Sequence, residues 1–285
     1  MSLWKGPPVH VFAPRPWYGR VLGSVRIFVI LSATLLATVL LVLLQFVGRV
    51  IRTERAIEGL ARLWSRFALR GLGLAVELRG TPLQSCSVVV ANHTTWLDTL
   101  ALRTGPFLTF VAKAEVADWP LFGQIAKINN TLFVARMASE AKRQEAEMAE
   151  RLAKGERLIF FPEGTSSDAL RVLPFKSSLF SSVCKLPMRD TMHVQPVALA
   201  WIAPKGQPSS FYGWWGDMGL ERNIWDIATR SFGGQLIITW CPPLSPAEFP
   251  DRKALTLAAE TAVAEALVAA GIDFQGQGKV AWGEG

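Results

Sequence analysis

The spacing of apolar positions changes along this chain, and each change marks a new segment. Ile27 to Gly48 is a run of 22 residues without a charge, bounded by Arg26 and Arg49. As a helix, such a run is long enough to cross the hydrocarbon core of a bilayer. It is too long, and begins too late, for a cleaved signal peptide. From residue 54 to 74 the pattern becomes amphipathic. Arg55, Arg62, Arg66 and Arg70 recur at helical spacing, with Leu60, Leu63, Trp64, Phe67 and Leu74 on the other sides. This predicts a helix lying in the membrane interface, with arginines towards lipid phosphates. Ahead of both, residues 1–20 contain Pro7, Pro8, Pro14 and Pro16 and are expected to be irregular.

From about residue 75 the rhythm alternates. Short β-like runs occur at 75–78, 87–91, 108–112, 132–135, 158–161, 193–201 and 235–240. Helical patterns fall between and after them, at 95–103, 119–128, 138–154, 176–185 and 251–270. Strands alternating with helices predict an α/β fold, a mixed sheet flanked by helices. The expected organisation is an N-terminal membrane-associated two-helix segment over 1–74 and an α/β domain over 75–285. The stretch 203–234 is rich in Gly, Trp and Pro and interrupts the rhythm. Tryptophan favours head-group depth, so an extra interfacial element is expected there. Residues 271–285 read as a loose tail.

Charge sharpens the membrane reading. Residues 1–80 hold eleven Lys or Arg against three Asp or Glu, so a whole-chain net charge of +7 leaves the remainder near neutral. The basic excess surrounds the apolar run, which points to an anionic membrane surface as partner and against nucleic acid. Because both flanks of the run are basic, positive-inside counting gives no orientation. A spanning helix and a hairpin dipping into one leaflet both fit. The three cysteines, Cys86, Cys184 and Cys241, lie far apart with no metal-ligand spacing, and read as reduced core residues. Three histidines, His10, His93 and His193, bound the choice of imidazole.

Two strand ends carry candidate chemistry. Ser87-Val88-Val89-Val90 runs into Ala91-Asn92-His93-Thr94-Thr95-Trp96-Leu97-Asp98. A titratable imidazole in a turn, with a carboxylate one helical turn later, is how a general base is commonly assembled. Leu158-Ile159-Phe160-Phe161 runs into Pro162-Glu163-Gly164-Thr165-Ser166-Ser167. Pro162 ends that strand, and Gly164 permits a left-handed turn and close approach of a ligand. Ligands in α/β sheets bind at the carboxyl ends of strands.

These residues resemble the glycerolipid acyltransferases of the 1-acylglycerol-3-phosphate acyltransferase type. Asn92-His93-x4-Asp98 matches the first motif, and Phe161-Pro162-Glu163-Gly164-Thr165 the third. Between them, Phe110 to Glu115 resembles the segment after the first motif. Leu132-Phe133-Val134-Ala135-Arg136 resembles the second motif, and Val194-Gln195-Pro196-Val197-Ala198 the fourth. The resemblance covers about 80–200.

It implies transfer of a fatty acyl group from a thioester to a lysolipid hydroxyl. His93 would be the base and Asp98 its orienter, with no protein nucleophile. Glu163, with Gly164, Thr165 and Ser166, would help bind the acceptor. Arg136 and Lys113, and more weakly Lys176, would supply charge for an anionic acceptor. Backbone N–H groups near Gly164 and Thr165 would receive the oxyanion. No metal or organic cofactor is implied. The acyl donor arrives as a thioester of acyl carrier protein or coenzyme A. The implied location is a membrane, the bacterial inner membrane, with the catalytic domain facing the cytoplasm.

One position departs from the family. After Gly-Thr an arginine commonly follows, contacting the acceptor phosphate; here stands Ser166, in Gly164-Thr165-Ser166-Ser167-Asp168. Arginine binds phosphate bidentately and serine cannot. Arg171 is a candidate replacement from the same loop. The Ser-Ser-Asp form resembles lyso-ornithine lipid and related lyso-aminolipid acyltransferases, whose acceptor lacks a phosphate. Phosphatidic acid synthesis, alone or alongside, is the alternative. Two further classes are weighed against it: a non-catalytic lipid-binding membrane module, which needs no titratable base, and a hydrolase delivering water to the thioester.

Overall fold

A computed structural model describes residues 4–9, 11–48, 54–84, 87–119, 122–134, 140–185 and 188–274. Seven strands form its centre: β1 Leu74–Gly80, β2 Ser87–Ala91, β3 Thr109–Lys113, β4 Leu132–Val134, β5 Leu158–Phe160, β6 His193–Ile202 and β7 Gly234–Trp240. They make one sheet in the order β1-β7-β6-β2-β5-β3-β4. All neighbouring pairs are parallel except β6 with β7. Five adjacent strands, β6, β2, β5, β3 and β4, therefore end at the same edge. That edge gathers the turns after Ala91 and Phe160.

Alternation along the strands buries both faces. Val89 and Ala91 of β2 pack with Val197, Leu199 and Trp201 of β6 and with Leu236, Ile238 and Trp240 of β7. Val88 and Val90 point the other way, with Val194, Ala198, Ala200 and Ile237. The first face is covered by helices α1 Gly19–Val47, α2 Glu54–Gly71, α3 Asp98–Arg103 and α7 Leu220–Arg230. The second is covered by α5 Ala141–Ala153, α8 Arg252–Ala269 and a 3-10 turn at Ser177–Phe180. The short α4 Phe122–Ile128 and α6 Met188–Thr191 lie in connections. Apolar burial at about 25 cal/mol per Å² on both faces is what holds such a sheet between its helical layers.

The apolar helix is longer than its uncharged run: α1 starts at Gly19, so Arg20 and Arg26 lie inside it. Arg26 is accommodated because it docks on the end of α7, donating to Ala228 O at 3.0 Å and Ser231 O at 2.9 Å, with its guanidinium on the Phe232 ring. Further along, the Thr34 hydroxyl accepts from Trp64 Nε1 at 3.1 Å, and Gln45 Nε2 donates to Ile128 O at 3.0 Å. The helix thus lies along the body, leaving Phe28, Leu31, Leu35, Leu36, Leu43 and Phe46 exposed.

Three expectations change. In α2, Arg62 and Arg66 do not point away towards phosphates. They reach Gly105 O at 3.1 Å and Thr104 O at 3.4 Å, where the C-terminus of α3 presents unpaired carbonyls. Leu63 and Phe67 are exposed, as are the other two arginines of the stripe, Arg55 and Arg70. The 176–185 pattern gives only the 3-10 turn, followed by a single wider turn in which Cys184 N–H donates to Phe180 O at 3.3 Å. The 203–234 stretch contains α7, and Trp215 is buried rather than interfacial, its indole N–H donating to Pro7 O at 3.1 Å. Residues 275–285, Cys86 and His10 lie outside the described residues.

Candidate active site

His93 sits two residues past the end of β2. Asn92 fixes the start of this turn: its side chain accepts from Leu199 N at 2.8 Å and donates to Leu199 O at 3.1 Å, continuing the β2–β6 ladder by one rung. The helix after the turn begins at Asp98, and no side chain caps it. Asp98 reaches back instead. Its Oδ2 accepts from His93 Nδ1 at 2.7 Å, Thr94 N at 2.7 Å and Thr95 N at 2.9 Å. Its Oδ1 accepts from Trp201 Nε1 at 2.8 Å. The carboxylate is fully buried, at 0 % exposure, while the His93 side chain keeps 21 %. Four donors thus converge on one buried carboxylate. The same bonds fix the imidazole tautomer, with the proton on Nδ1 and the lone pair on Nε2. Phe161 lies flat on the ring, with centroids 4.2 Å apart and planes 14° from parallel.

The third-motif turn is laced to the first. His93 N–H donates to Glu163 Oε1 at 2.9 Å, and His93 O accepts from Ser167 N at 2.8 Å. Glu163 is buried, and burial pushes its carboxyl well above the usual range, against the pull of the His93 and Leu173 amides. Gly164 has φ +69, and a Cβ there would collide with the Lys176 ammonium. Lys176 is no solvated lysine: its Nζ donates to Glu163 O at 2.8 Å. Gly164 N–H is spent inside the turn on Phe161 O at 3.0 Å, so it is not the oxyanion donor expected of it. Thr165 is half-buried in the same turn.

Ser166 and Arg171 are both committed. The Ser166 hydroxyl donates to Trp214 O, and Trp214 N–H donates to Thr94 O at 2.9 Å. Arg171 Nε lies 3.1 Å from both oxygens of Asp168, and a terminal nitrogen lies 2.9 Å from Oδ2. Asp168 is buried, so the Arg171 charge is neutralised inside the loop. Lys113 ends β3 at the same sheet edge, two strands from His93. Arg136 lies outside the described residues. His193 starts β6 opposite Ser87, at the other edge, which removes it as a rival imidazole. Of the free cysteines described, Cys184 is half-buried and Cys241 buried, and burial pushes the Cys241 thiol up to about 11. An unreactive thiol of that kind fits a core residue.

Sequence reasoning missed Trp201 and Trp214 as parts of the site, and saw Asn92 in the first motif without its tie to Leu199. Trp201 and Trp214 sit more than a hundred residues from His93, and no local pattern links them. Phe161 was within reach, since it stands in the quoted motif.

A sequence-family model described as Acyltransferase matches residues 76–200. The chain is 41% identical over 218 residues to a lyso-ornithine lipid O-acyltransferase of Rhodobacter capsulatus, covering 74% of this chain and 79% of that protein. It belongs to the acyltransferase family. A second family member, the lyso-ornithine lipid O-acyltransferase of Brucella abortus, is 31% identical over 254 residues, covering 85% of this chain and 94% of that one. The family fold is seen in the crystal structure of the 1-acyl-sn-glycerophosphate (LPA) acyltransferase of Thermotoga maritima. It matches with a TM-score of 0.65 at 21% identity, covering 88% of this chain and 96% of that chain.

Proposed function

We propose that this acyltransferase moves a fatty acyl group from a thioester to the free hydroxyl of lyso-ornithine lipid or a related lyso-aminolipid. The observation that carries the acceptor choice is at Ser166. Where the family commonly places a phosphate-binding arginine, a short hydroxyl closes onto Trp214 O, and Arg171 is neutralised by Asp168. The Arg171 charge is already balanced by Asp168, and the Ser166 hydroxyl cannot pair with phosphate bidentately. The names of the two relatives agree with this reading.

The steps follow from the dyad. The acceptor hydroxyl approaches His93 Nε2, the nitrogen left unprotonated by the Asp98 bond. His93 takes the proton as the oxygen attacks the thioester carbonyl, and Asp98 stabilises the imidazolium. Collapse of the tetrahedral intermediate expels the thiolate, which takes the proton from His93. The substrate supplies the nucleophile, so the cysteines stay outside the chemistry. Acyl carrier protein or coenzyme A carries the donor. Lys113 adds positive charge at the same edge, and Arg136 is read from its motif alone as a further cation for the anionic part of the ligands. The helix α1 is tied to the body near both ends, which supports a dip into one leaflet of an anionic membrane with both ends on one side. The catalytic domain then faces the cytoplasm at the bacterial inner membrane.

The test is a lipid extract from cells with and without the protein, and with His93→Ala. A selective gain in phosphate-free aminolipid with the wild type, absent with His93→Ala, is expected. Raised phosphatidic acid with an unchanged aminolipid pool would replace this acceptor with lysophosphatidic acid. Wild-type transfer by His93→Ala would refute the base.

A further inference from the structure

The third motif's glutamate sits in an unexpected place for a residue that binds a charged head group. Its side chain is 2 % exposed. Oε1 is occupied by the backbone N–H of His93 at 2.9 Å. Oε2 is buried without a hydrogen-bond partner of good geometry. The charged groups facing it are two further carboxylates, Asp98 and Glu260. The nearby cation, Lys176, hydrogen-bonds the Glu163 main-chain carbonyl at 2.8 Å. A buried carboxylate with one filled oxygen and two like charges beside it is a costly ion; its protonated form is not.

The neighbouring bonds tell what this acid holds. Ser167 N–H binds His93 O at 2.8 Å, so the peptide groups on both sides of the His93 Cα are gripped from the same turn. Side-chain bonds to Asp98 set the ring's tautomer, and the stacked Phe161 sets its plane. The backbone clamp sets where the ring starts. A displacement of the base of about 1 Å is enough to cost ~100-fold in rate.

We propose that Glu163 is a positioning residue, an uncharged carboxyl that clamps the His93 backbone and makes no contact with the acceptor head group. This rests on the reading of His93 as the base. Its chemistry demands an acceptor atom at Oε1 and no charge, which glutamine supplies and alanine does not.

The experiment compares Glu163→Gln, Glu163→Ala and His93→Ala in the full chain in detergent or vesicles, measuring kcat, acceptor KM and thermal stability against pH. Glu163→Gln is expected to keep kcat within about threefold, since one neutral acceptor replaces another. Glu163→Ala is expected to lose kcat ~10- to 100-fold with acceptor KM changed less than about threefold. If Glu163→Ala does not fold, Glu163→Gln alone decides. A second readout separates a neutral carboxyl from mere packing. The folded state holds the Glu163 proton more tightly than the unfolded chain does. Stability from that proton is complete below the ordinary glutamate range and is lost as pH rises through the folded value. The wild type should therefore lose Tm with rising pH above that range more steeply than Glu163→Gln. A glutamine variant as impaired as alanine, with a raised acceptor KM, or an unchanged pH slope, would overturn the proposal while leaving His93 in place. Full activity in His93→Ala would remove the base and the positioning role together.

Discussion

Replacing Asp98 by asparagine is the sharpest probe of the dyad, because the two oxygens of this carboxylate have unequal duties. Oδ2 accepts three bonds and Oδ1 one, the indole N–H of Trp201. An amide must place its oxygen on one side. Facing it towards Trp201 would set NH2 against three donors; facing it towards His93 sets NH2 against one. The second orientation wins, and it still accepts the Nδ1 proton. Asp98→Asn therefore keeps the tautomer and loses the charge. At an effective dielectric near 20, opposite charges ~4 Å apart attract by ~4 kcal/mol. Most of that is realised only when His93 carries its second proton, so kcat should fall by about 10²- to 10³-fold. Acceptor KM should move little, since the amide makes the same ground-state bonds on the His93 side. Stability should fall by about 1–3 kcal/mol, the cost of a buried indole N–H left facing another donor. The assay is radiolabelled acyl transfer at saturating donor, with a thermal melt on the same preparation. A folded Asp98→Asn enzyme retaining more than about a tenth of wild-type kcat would refute the reasoning.

Two further outcomes follow from the same site. Ser166→Ala should lower stability by about 1 kcal/mol and loosen the Trp214 segment, read as a lower Tm and earlier hydrogen exchange at Trp214. Gly164 and Ala169 both have φ near +69, but only one is built for it. Gly164→Ala should cost about 1–2 kcal/mol and Ala169→Gly should gain up to ~1 kcal/mol, both measurable by denaturation.

Much of the sheet was legible because its signals are local. Ser87–Ala91 is apolar throughout, lies on a strand buried on both faces, and was placed to the residue. The long strand His193–Ile202 and the capped helix α8, where Asp251 accepts from Lys253 N at 2.8 Å and Ala254 N at 2.9 Å, were equally open to reading. What escaped depended on distant partners. Arg62 and Arg66 have the spacing of a membrane-facing stripe, and only the position of the α3 terminus turns them inward. The 176–185 segment has helical apolar spacing, yet it is pinned ahead of its start by Phe175 to Glu260 and forms only a 3-10 turn. The dyad itself was visible as His93-x4-Asp98, because a turn and one helical step suffice to join the pair. The orientation of the Glu163 carboxyl was not, since it depends on the gap between two parallel strand ends.

The bonds joining these turns form a closed circuit of three chain segments. Ser167 binds His93, Thr94 binds Trp214, and Trp214 binds Ser166, which neighbours Ser167. Position 166 is where head-group choice is expected to be decided, and it lies on the same loop of bonds as the imidazole proposed as the base. On that proposal, an altered residue there cannot retune which lipid is accepted without tugging on the His93 imidazole. Changing the acceptor by engineering, or by drift over generations, would therefore carry a rate penalty until Trp214 or Thr94 changes in concert.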